Sequence, residues 1–346
     1  MFRNFVALTL ISWPCLCFAI DIQQISDSVW VAVQPDTERF DDSNSLIMRG
    51  DNGVLVVDSQ QSAEDVAAII SFIDNKIGLP VAVLVNTHWH TDHIQGNAHY
   101  KTAYGDKLTI IGHTSHLEDI PQRAQKTLQE QIIYLQAQLP IAEERLEQGI
   151  KMDGSPLSEA EATQQAQLIG QARIWLKNNK NTNFVLPDKV ISKPLNLTKY
   201  GFDASVIPMS GHTRADLVVY LPQQKILACG DLLDAVPYLG HGNTRQWLAT
   251  LKDMQDISPE FWLPGHGKPV DDHTLLNAMQ FYFDELLAQI NSFQEADLET
   301  LKQQVDVSAS RARLTGDDPH KQRFFDHSLD EAITQTYESE RQHRAQ

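Results

Sequence analysis

The segment His88-Trp89-His90-Thr91-Asp92-His93 packs three imidazoles and a carboxylate into six residues, directly after the apolar run Val81–Val85. Imidazole nitrogen and carboxylate oxygen are the donors that zinc and similar divalent ions take. The run before them reads as a short buried strand. The donors therefore sit on a loop at a strand end, where α/β proteins place their chemistry. A chain built this way must bring further donors to the same edge.

The surrounding text supplies the strands. Val29–Gln34 and Ser45–Arg49 read as strands. Asp51-Asn52-Gly53 is a hairpin signal, and Val54–Val57 continues as a buried strand ending at Asp58. Residues Ala63–Ile77 follow a helical period, with Val66, Ile69, Ile70 and Ile73 on one stripe. Leu108–Ile111, Ser205–Met209, Leu217–Leu221, Lys225–Ala228 and Phe261–Leu263 are further short strands. Between Ile120 and Lys180 the chain turns rich in Gln, Glu and Ala. Leu128, Ile132, Leu135 and Leu139 mark one helix there. Ser158 with Glu161 forms a capping box that opens another, whose apolar face is Ala162, Ile169, Ala172 and Leu176. Such a hairpin either packs on the core or walls the metal cleft. Leu276, Met279, Phe283, Leu286, Ile290 and Phe293 form a strong helical stripe in the tail. Ala309–Lys321 reads as a polar loop, and Ser328 with Glu331 as the cap of a terminal helix.

Four further segments carry donor or acid residues just after strands. They are Asp58, Ser210-Gly211-His212-Thr213, Cys229-Gly230-Asp231 and Pro264-Gly265-His266-Gly267. Glycine lets such turns bend sharply and approach a ligand closely. Taken together with the opening segment, they resemble the metallo-β-lactamase superfamily over about Val29 to Val270. The family's His-x-His-x-Asp-His motif is matched by His88, His90, Asp92 and His93. Its later His, Asp and His are matched by His212, Asp231 and His266, and its strand-ending Asp by Asp58.

The resemblance implies an α/β fold of the αββα sandwich type: two mixed sheets face to face, helices outside, and the site along one edge. Residues 20–270 would form this domain, with the helical insertion at about 120–180, and 271–346 a helical C-terminal extension packed on it. It also implies a ligand split. His88, His90 and His212 would bind one metal, Asp92, His93 and His266 the other, and Asp231 would bridge them. Zinc is the expected ion, two per chain, with iron or manganese as substitutes. Ions ~3.5–4 Å apart can share a water and lower its pKa, and Asp92 would steer that water or carry its proton. Asp58, Thr213 and Asp216 would brace the ligands from behind.

The implied function is a zinc-dependent hydrolase attacking an ester, thioester, lactone or amide carbonyl of a small substrate. Asp231 stands where many β-lactamases carry Cys or Ser, which places the chain nearer the glyoxalase II-like branch, so β-lactamase activity is an alternative. His90 stands where redox di-iron relatives carry Glu. An iron-dependent oxidoreductase such as a persulfide dioxygenase still fits the donor set, as do a phosphodiesterase and a non-catalytic metal binder.

Several side chains near these segments carry weaker signals. Cys229 reads as a small buried residue ending a strand, or as a thiolate ligand. His113 and His116 read as surface or capping residues, or as neighbours of the cleft. His241, between Gly240 and Gly242, has no motif support. Trp89 and Thr91 read as packing residues.

A net charge of −17 opposes binding to nucleic acid and to anionic membranes. Arg3, the apolar stretch Phe5–Phe18 and Cys17-Phe18-Ala19 read as a signal peptide of residues 1–19, cleaved near Ala19. The stretch is shorter than the ~20 residues of a membrane span. The reading is a periplasmic or secreted protein without stable membrane insertion after cleavage, and a retained anchor is the alternative. Once Cys15 and Cys17 are removed, Cys229 remains and cannot form an internal disulfide.

Overall fold

Alternation along Val29–Val33 sends Val29, Val31 and Val33 to one side and Trp30 and Ala32 to the other, and both sides are buried. A strand covered on both faces belongs to an inner layer of the molecule. The computed structural model describes residues 20–35, 42–293 and 297–344. The leader read at residues 1–19 lies outside them.

One sheet runs in the order β1 (Asp21–Ser26), β2 (Val29–Val33), β3 (Ser45–Arg49), β4 (Val54–Val57), β5 (Val81–Val85), β6 (Thr109–His113) and β7 (Lys189–Ile191). It is antiparallel from β1 to β4 and parallel from β4 to β7. The second sheet holds β8 (Leu195–Asn196), β9 (Ser205–Met209), β10 (Asp216–Leu221), β11 (Ile226–Gly230) and β12 (Phe261–Pro264), with only β11 and β12 parallel.

The helices are α1 (Ala63–Phe72), α2 (Thr91–Ile94), α3 (Asn97–Tyr104), α4 (His116–Asp119), α5 (Gln125–Gln148), α6 (Glu159–Asn179), α7 (Thr244–Asp256), α8 (Thr274–Ser292), α9 (Leu298–Gln304), α10 (Ser308–Thr315) and α11 (Pro319–Arg344).

Three apolar layers follow from these elements. Between the sheets, Val31, Leu46, Leu55, Val83 and Val85 meet Val206, Leu217, Val219 and Ala228. Outside the first sheet, Val56, Leu84 and Ile110 meet Val66, Ile69 and Ile73 of the α1 stripe and Tyr100 of α3. Outside the second sheet, Val218, Leu227 and Trp262 meet Trp247 of α7 and Met279, Phe283 and Leu286 of α8. The arrangement is the αββα sandwich with helical additions. Cross-links at one edge lock the sheets together: Leu217 donates its N–H to the Thr87 carbonyl, and the Asn44 amide donates to the carbonyls of Pro264 and Gly267.

The insertion folds as the expected pair of helices, and Ser158 and Glu161 form the capping box that opens α6. Two expectations in the tail are overturned. Ala309–Lys321 is mostly helical: Ser310 and Leu314 are buried, and the Ser310 hydroxyl donates to Glu285 on α8. Tertiary burial outweighs the polar composition there, and the chain breaks only around Gly316 (φ 51°). Ser328 caps nothing. It lies inside α11, its hydroxyl turned back onto the carbonyls of Phe324 and Phe325. The cap is Asp318, whose carboxylate accepts the N–H groups of His320 and Lys321, with Pro319 in the first turn.

Trp247 ties these layers to the site edge. It is fully buried, its indole N–H donates to the Leu232 carbonyl at 3.0 Å, and its ring lies 5.2 Å from that of His212. Trp247→Ala should lower stability by ~3–5 kcal/mol, measured as the shift in a denaturant unfolding curve. A loss under about 1 kcal/mol would mean the site edge does not lean on this ring.

Candidate metal centre

Five strand ends deliver the donor and acid side chains to the same edge of the sandwich. Asp58 ends β4, and the segment from His88 to His93 follows β5. His212 follows β9, Asp231 follows β11 and His266 follows β12. The structure brings all seven expected donors together. Ligand atoms of His88, His90, His212 and Asp231 lie within 4.8 Å of one another, as do those of Asp92, His93 and His266. Asp231 lies between the groups: its carboxylate is 3.3 Å from His212 Nε2, 3.1 Å from His93 Nε2, and 3.6 Å from the Nε2 atoms of His88 and His266. Asp92 is 3.2 Å from His93 Nε2 and 3.1 Å from His266 Nε2.

The outward nitrogens are held from behind. Asp58 sits in the left-handed region at φ 62°, a conformation that costs ~1–3 kcal/mol outside glycine. It aims its carboxylate at the metal loop, accepting the Thr87 N–H, the Thr87 hydroxyl and His93 Nδ1–H, each at 2.8 Å. The Thr87 hydroxyl oxygen in turn lies 3.1 Å from His88 Nδ1. These contacts leave the Nε2 atoms of His93 and His88 for the centre. Asp216 accepts the Thr213 N–H and hydroxyl and so braces the turn that carries His212.

Two glycines are required by space. A Cβ on Gly265 would lie 1.8 Å from an Asp231 carboxylate oxygen. Gly230 combines φ 51° with a Cβ position 2.6 Å from the Thr87 hydroxyl.

Burial opposes charge on every group in this cluster, and neighbours decide the outcome. His88 and His90 are driven well below the usual imidazole value by burial, then by the adjoining imidazoles, and His212 falls to about 4 chiefly through burial. His93 is carried well above that value despite burial, by Asp92, Asp231 and Asp58. His266 rises likewise, through Asp231 and Asp92. Against the same burial, Asp92 and Asp231 are held well below the carboxylate range, most strongly by His93.

The donor set fits a divalent ion. His88 Nε2 is buried without a hydrogen-bond partner, and His93 Nε2 and Asp231 Oδ1 are buried 3.1 Å apart; a buried polar atom left unsatisfied costs ~1–3 kcal/mol. All three point into the cluster, and all three are atoms that zinc-type ions accept.

The centre opens into a cleft of about 1620 Å³. Its far wall is the helical hairpin, with Tyr134 and Leu135 of α5 and Ile174 and Trp175 of α6. Asp42 and Asp234 also line the cleft, and sequence reasoning missed both. Burial pushes each up to about 7. Asp42 accepts the N–H groups of Ser43, Gln61 and Ser62, and Asp234 shares a ligand-atom cluster with Asp231 and His266. The spacing Asp231-x-x-Asp234 is the signal that could have found the second, and Asp42 offers none. Thr87 was missed as well, since a lone threonine before His88 looks like packing.

Among the weaker signals, Thr91 lines the cleft and Trp89 packs against the His90 ring, while Cys229, His113 and His116 lie away from the centre. Cys229 is buried in the outer core, its thiol donating to the Leu227 carbonyl and its pKa raised by burial. His116 is buried, with Nδ1 accepting the His113 N–H, and neither histidine lines the cleft. Trp89 packs with Ile94, Ile120 and Ala124. His241 touches a ligand directly: its Nδ1 lies 2.8 Å from His90 Nε2, a contact with no sequence signature.

A family model described as the metallo-beta-lactamase superfamily matches residues 39–266. The chain is 23% identical over 271 residues to a metallo-beta-lactamase type 2 from Bacillus sp., covering 75% of this chain and 81% of that protein. It is 21% identical over 227 residues to a linear primary-alkylsulfatase from Pseudomonas sp., covering 63% of this chain and 40% of that protein; the chain thus spans less than half of that relative's length. Among solved structures, a metallo-beta-lactamase from Pseudomonas aeruginosa in a mono-zinc form superposes with a TM-score of 0.51 at 15% identity, over 77% of this chain and 96% of that one. That likeness is one of fold.

Two outcomes follow from the geometry. Because Asp92, Asp231 and Asp58 favour the charged form of His93, and Asp231 and Asp92 that of His266, uptake of divalent ions should release protons at pH 7. The number should fall as pH rises through the raised imidazole values. An indicator dye in weak buffer reads it, and no release at pH 7 would contradict the charge pattern. Gly265→Ala should take up less metal, because its methyl group crowds the Asp231 carboxylate and the Gly230–Asp231 backbone; full uptake by equilibrium dialysis would argue against that crowding.

Proposed function

Because the chain belongs to the metallo-beta-lactamase superfamily, we propose that it is a binuclear zinc hydrolase acting on a small ester, thioester, lactone or amide. The observation that carries the reading is the convergence of His88, His90 and His212 on one side of Asp231, and of Asp92, His93 and His266 on the other. In this reading the first three hold one ion, the second three hold another, and Asp231 spans both. Seven donors exceed the needs of one tetrahedral ion and divide into two open sites. When bound, such ions supply Lewis acidity, lowering the pKa of a water towards ~7 and drawing charge from the acceptor oxygen.

The chain's own residues do the rest. Asp92 is the more exposed of the two central carboxylates, at 18% against 5% for Asp231. Held ionised by His93 and His266, it can orient the attacking water and take its proton. Asp58 and Thr87 keep His93 and His88 in the orientation the centre needs. The hairpin wall shields the cleft and gives the substrate an apolar surface to lie against. Asp231, in the place where many β-lactamases carry Cys or Ser, supports a carbonyl hydrolase of broader type, and β-lactams remain among the amides to be tried. Export by the leader ending near Ala19 belongs to the same proposal.

Metal analysis of the purified protein should find about two zinc ions per chain. Turnover should fall on one class in a panel of lactones, thioesters, β-lactams and phosphodiesters. Primary alkyl sulfates belong in that panel because one relative bears that name. Asp92→Asn, assayed with enough zinc to keep both sites filled, should cut kcat by at least about 100-fold; near-normal turnover at full occupancy would remove its assigned role. A single iron with oxygen uptake would replace the hydrolase reading with the oxidoreductase one.

A further inference from the structure

We infer that the loop Tyr238–Gly242 orients His90 and His212 for metal, with His241 as the positioning residue for His90 and the C-terminal helix α11 holding the loop. The inference rests on the two-ion reading above.

His90 Nδ1 lies 3.1 Å from His212 Nε2 and so faces the centre, while its other nitrogen, Nε2, is 2.8 Å from His241 Nδ1. A proton shared in that second contact must leave His90 Nδ1 bare if His241 accepts it. His212 Nδ1 lies 3.2 Å from the Tyr238 carbonyl oxygen. A carbonyl accepts only from an N–H, so His212 Nε2 is the bare nitrogen. The loop thus fixes the tautomer of His212, and with His241 as the acceptor it fixes that of His90 as well. The third, His88, is set by Thr87. Partners of this kind fix ring orientation and raise ligand basicity.

The loop has little freedom. A Cβ on Gly240 would lie 2.2 Å from the Tyr238 hydroxyl, and one on Gly242 would lie 2.6 Å from the Gly211 carbonyl oxygen beside His212. From α11, the Gln335 amide donates to the Gly242 carbonyl at 3.0 Å, and Glu331 hydrogen-bonds the Tyr238 hydroxyl. Two residues further along, Thr244 and Thr336 share a hydroxyl hydrogen bond of 2.6 Å, and Arg245 makes a paired contact with Glu340. The family match ends at residue 266, whereas α11 spans Pro319–Arg344. The part of the chain outside the family match therefore buttresses the centre.

The test is metal affinity in the full-length protein, read by competition between zinc and a chromophoric chelator, with Co²⁺ spectra reporting ligand geometry. His241 is exposed, so its replacement leaves the core intact. His241→Ala should weaken one of the two equivalents about 10–100-fold and leave the other unchanged. His241→Asn, whose amide oxygen falls where Nδ1 lies, should restore most of that loss. Gln335→Ala should weaken the same equivalent to a smaller degree, without altering any residue of the loop. Unchanged affinity in His241→Ala would overturn the inference, and so would equal weakening in His241→Ala and His241→Asn. Wild-type protein that takes up no divalent ion would overturn the two-ion reading, and this inference with it.

Discussion

Asp231 is the point on which the centre turns. A buried carboxylate is costly unless charge or hydrogen bonds answer it, and this one has four imidazole Nε2 atoms at 3.1–3.6 Å. Those imidazoles arrive from the ends of β5, β9 and β12, so Asp231 can be answered only when both sheets are assembled in register. The absence of a side chain at Gly265 makes room for it. The sandwich and the site therefore require each other: the inter-sheet core sets where the strand ends fall, and the strand ends set the spacing of the donors.

That dependence explains the strain and the tail. Asp58 keeps a left-handed backbone because its carboxylate must reach Thr87 and His93 together. The C-terminal helices cover the outer face of the second sheet and build an apolar layer with Trp247, Phe283 and Ile333. The last of them, α11, grips the segment that carries Tyr238 and His241. The hairpin of α5 and α6 plays a different part. It leaves Tyr134 and Ile174 exposed along the cleft, which suits a wall meeting substrate more than one meeting core.

Much of this is legible in the sequence where local chemistry and tertiary need agree. Alternation identifies the inner strands, the His88–His93 cluster announces metal chemistry, and the family resemblance supplies the αββα layers. Legibility fails where burial overrides composition. Ser308–Thr315 is polar in text but helical in fact, because Ser310 and Leu314 face α8. Ser328 has the residue type of a cap and none of its position. At the site, Thr87 and Asp42 escape notice because one polar residue near a motif carries no period and no firm spacing.

What the chain's text determined by itself was the order and type of the elements and the kinds of atom brought to the strand ends. Those depend on neighbours in sequence: a period of two, a glycine in a turn, two histidines one residue apart. Only the tertiary structure decided which nitrogen of each histidine faces inward and which carboxylates keep their charge. It also decided that a histidine 151 residues from His90 stands behind it. Those outcomes depend on distances between strand ends, loop and distant helix, and such distances exist only once the two sheets and the C-terminal helices have packed.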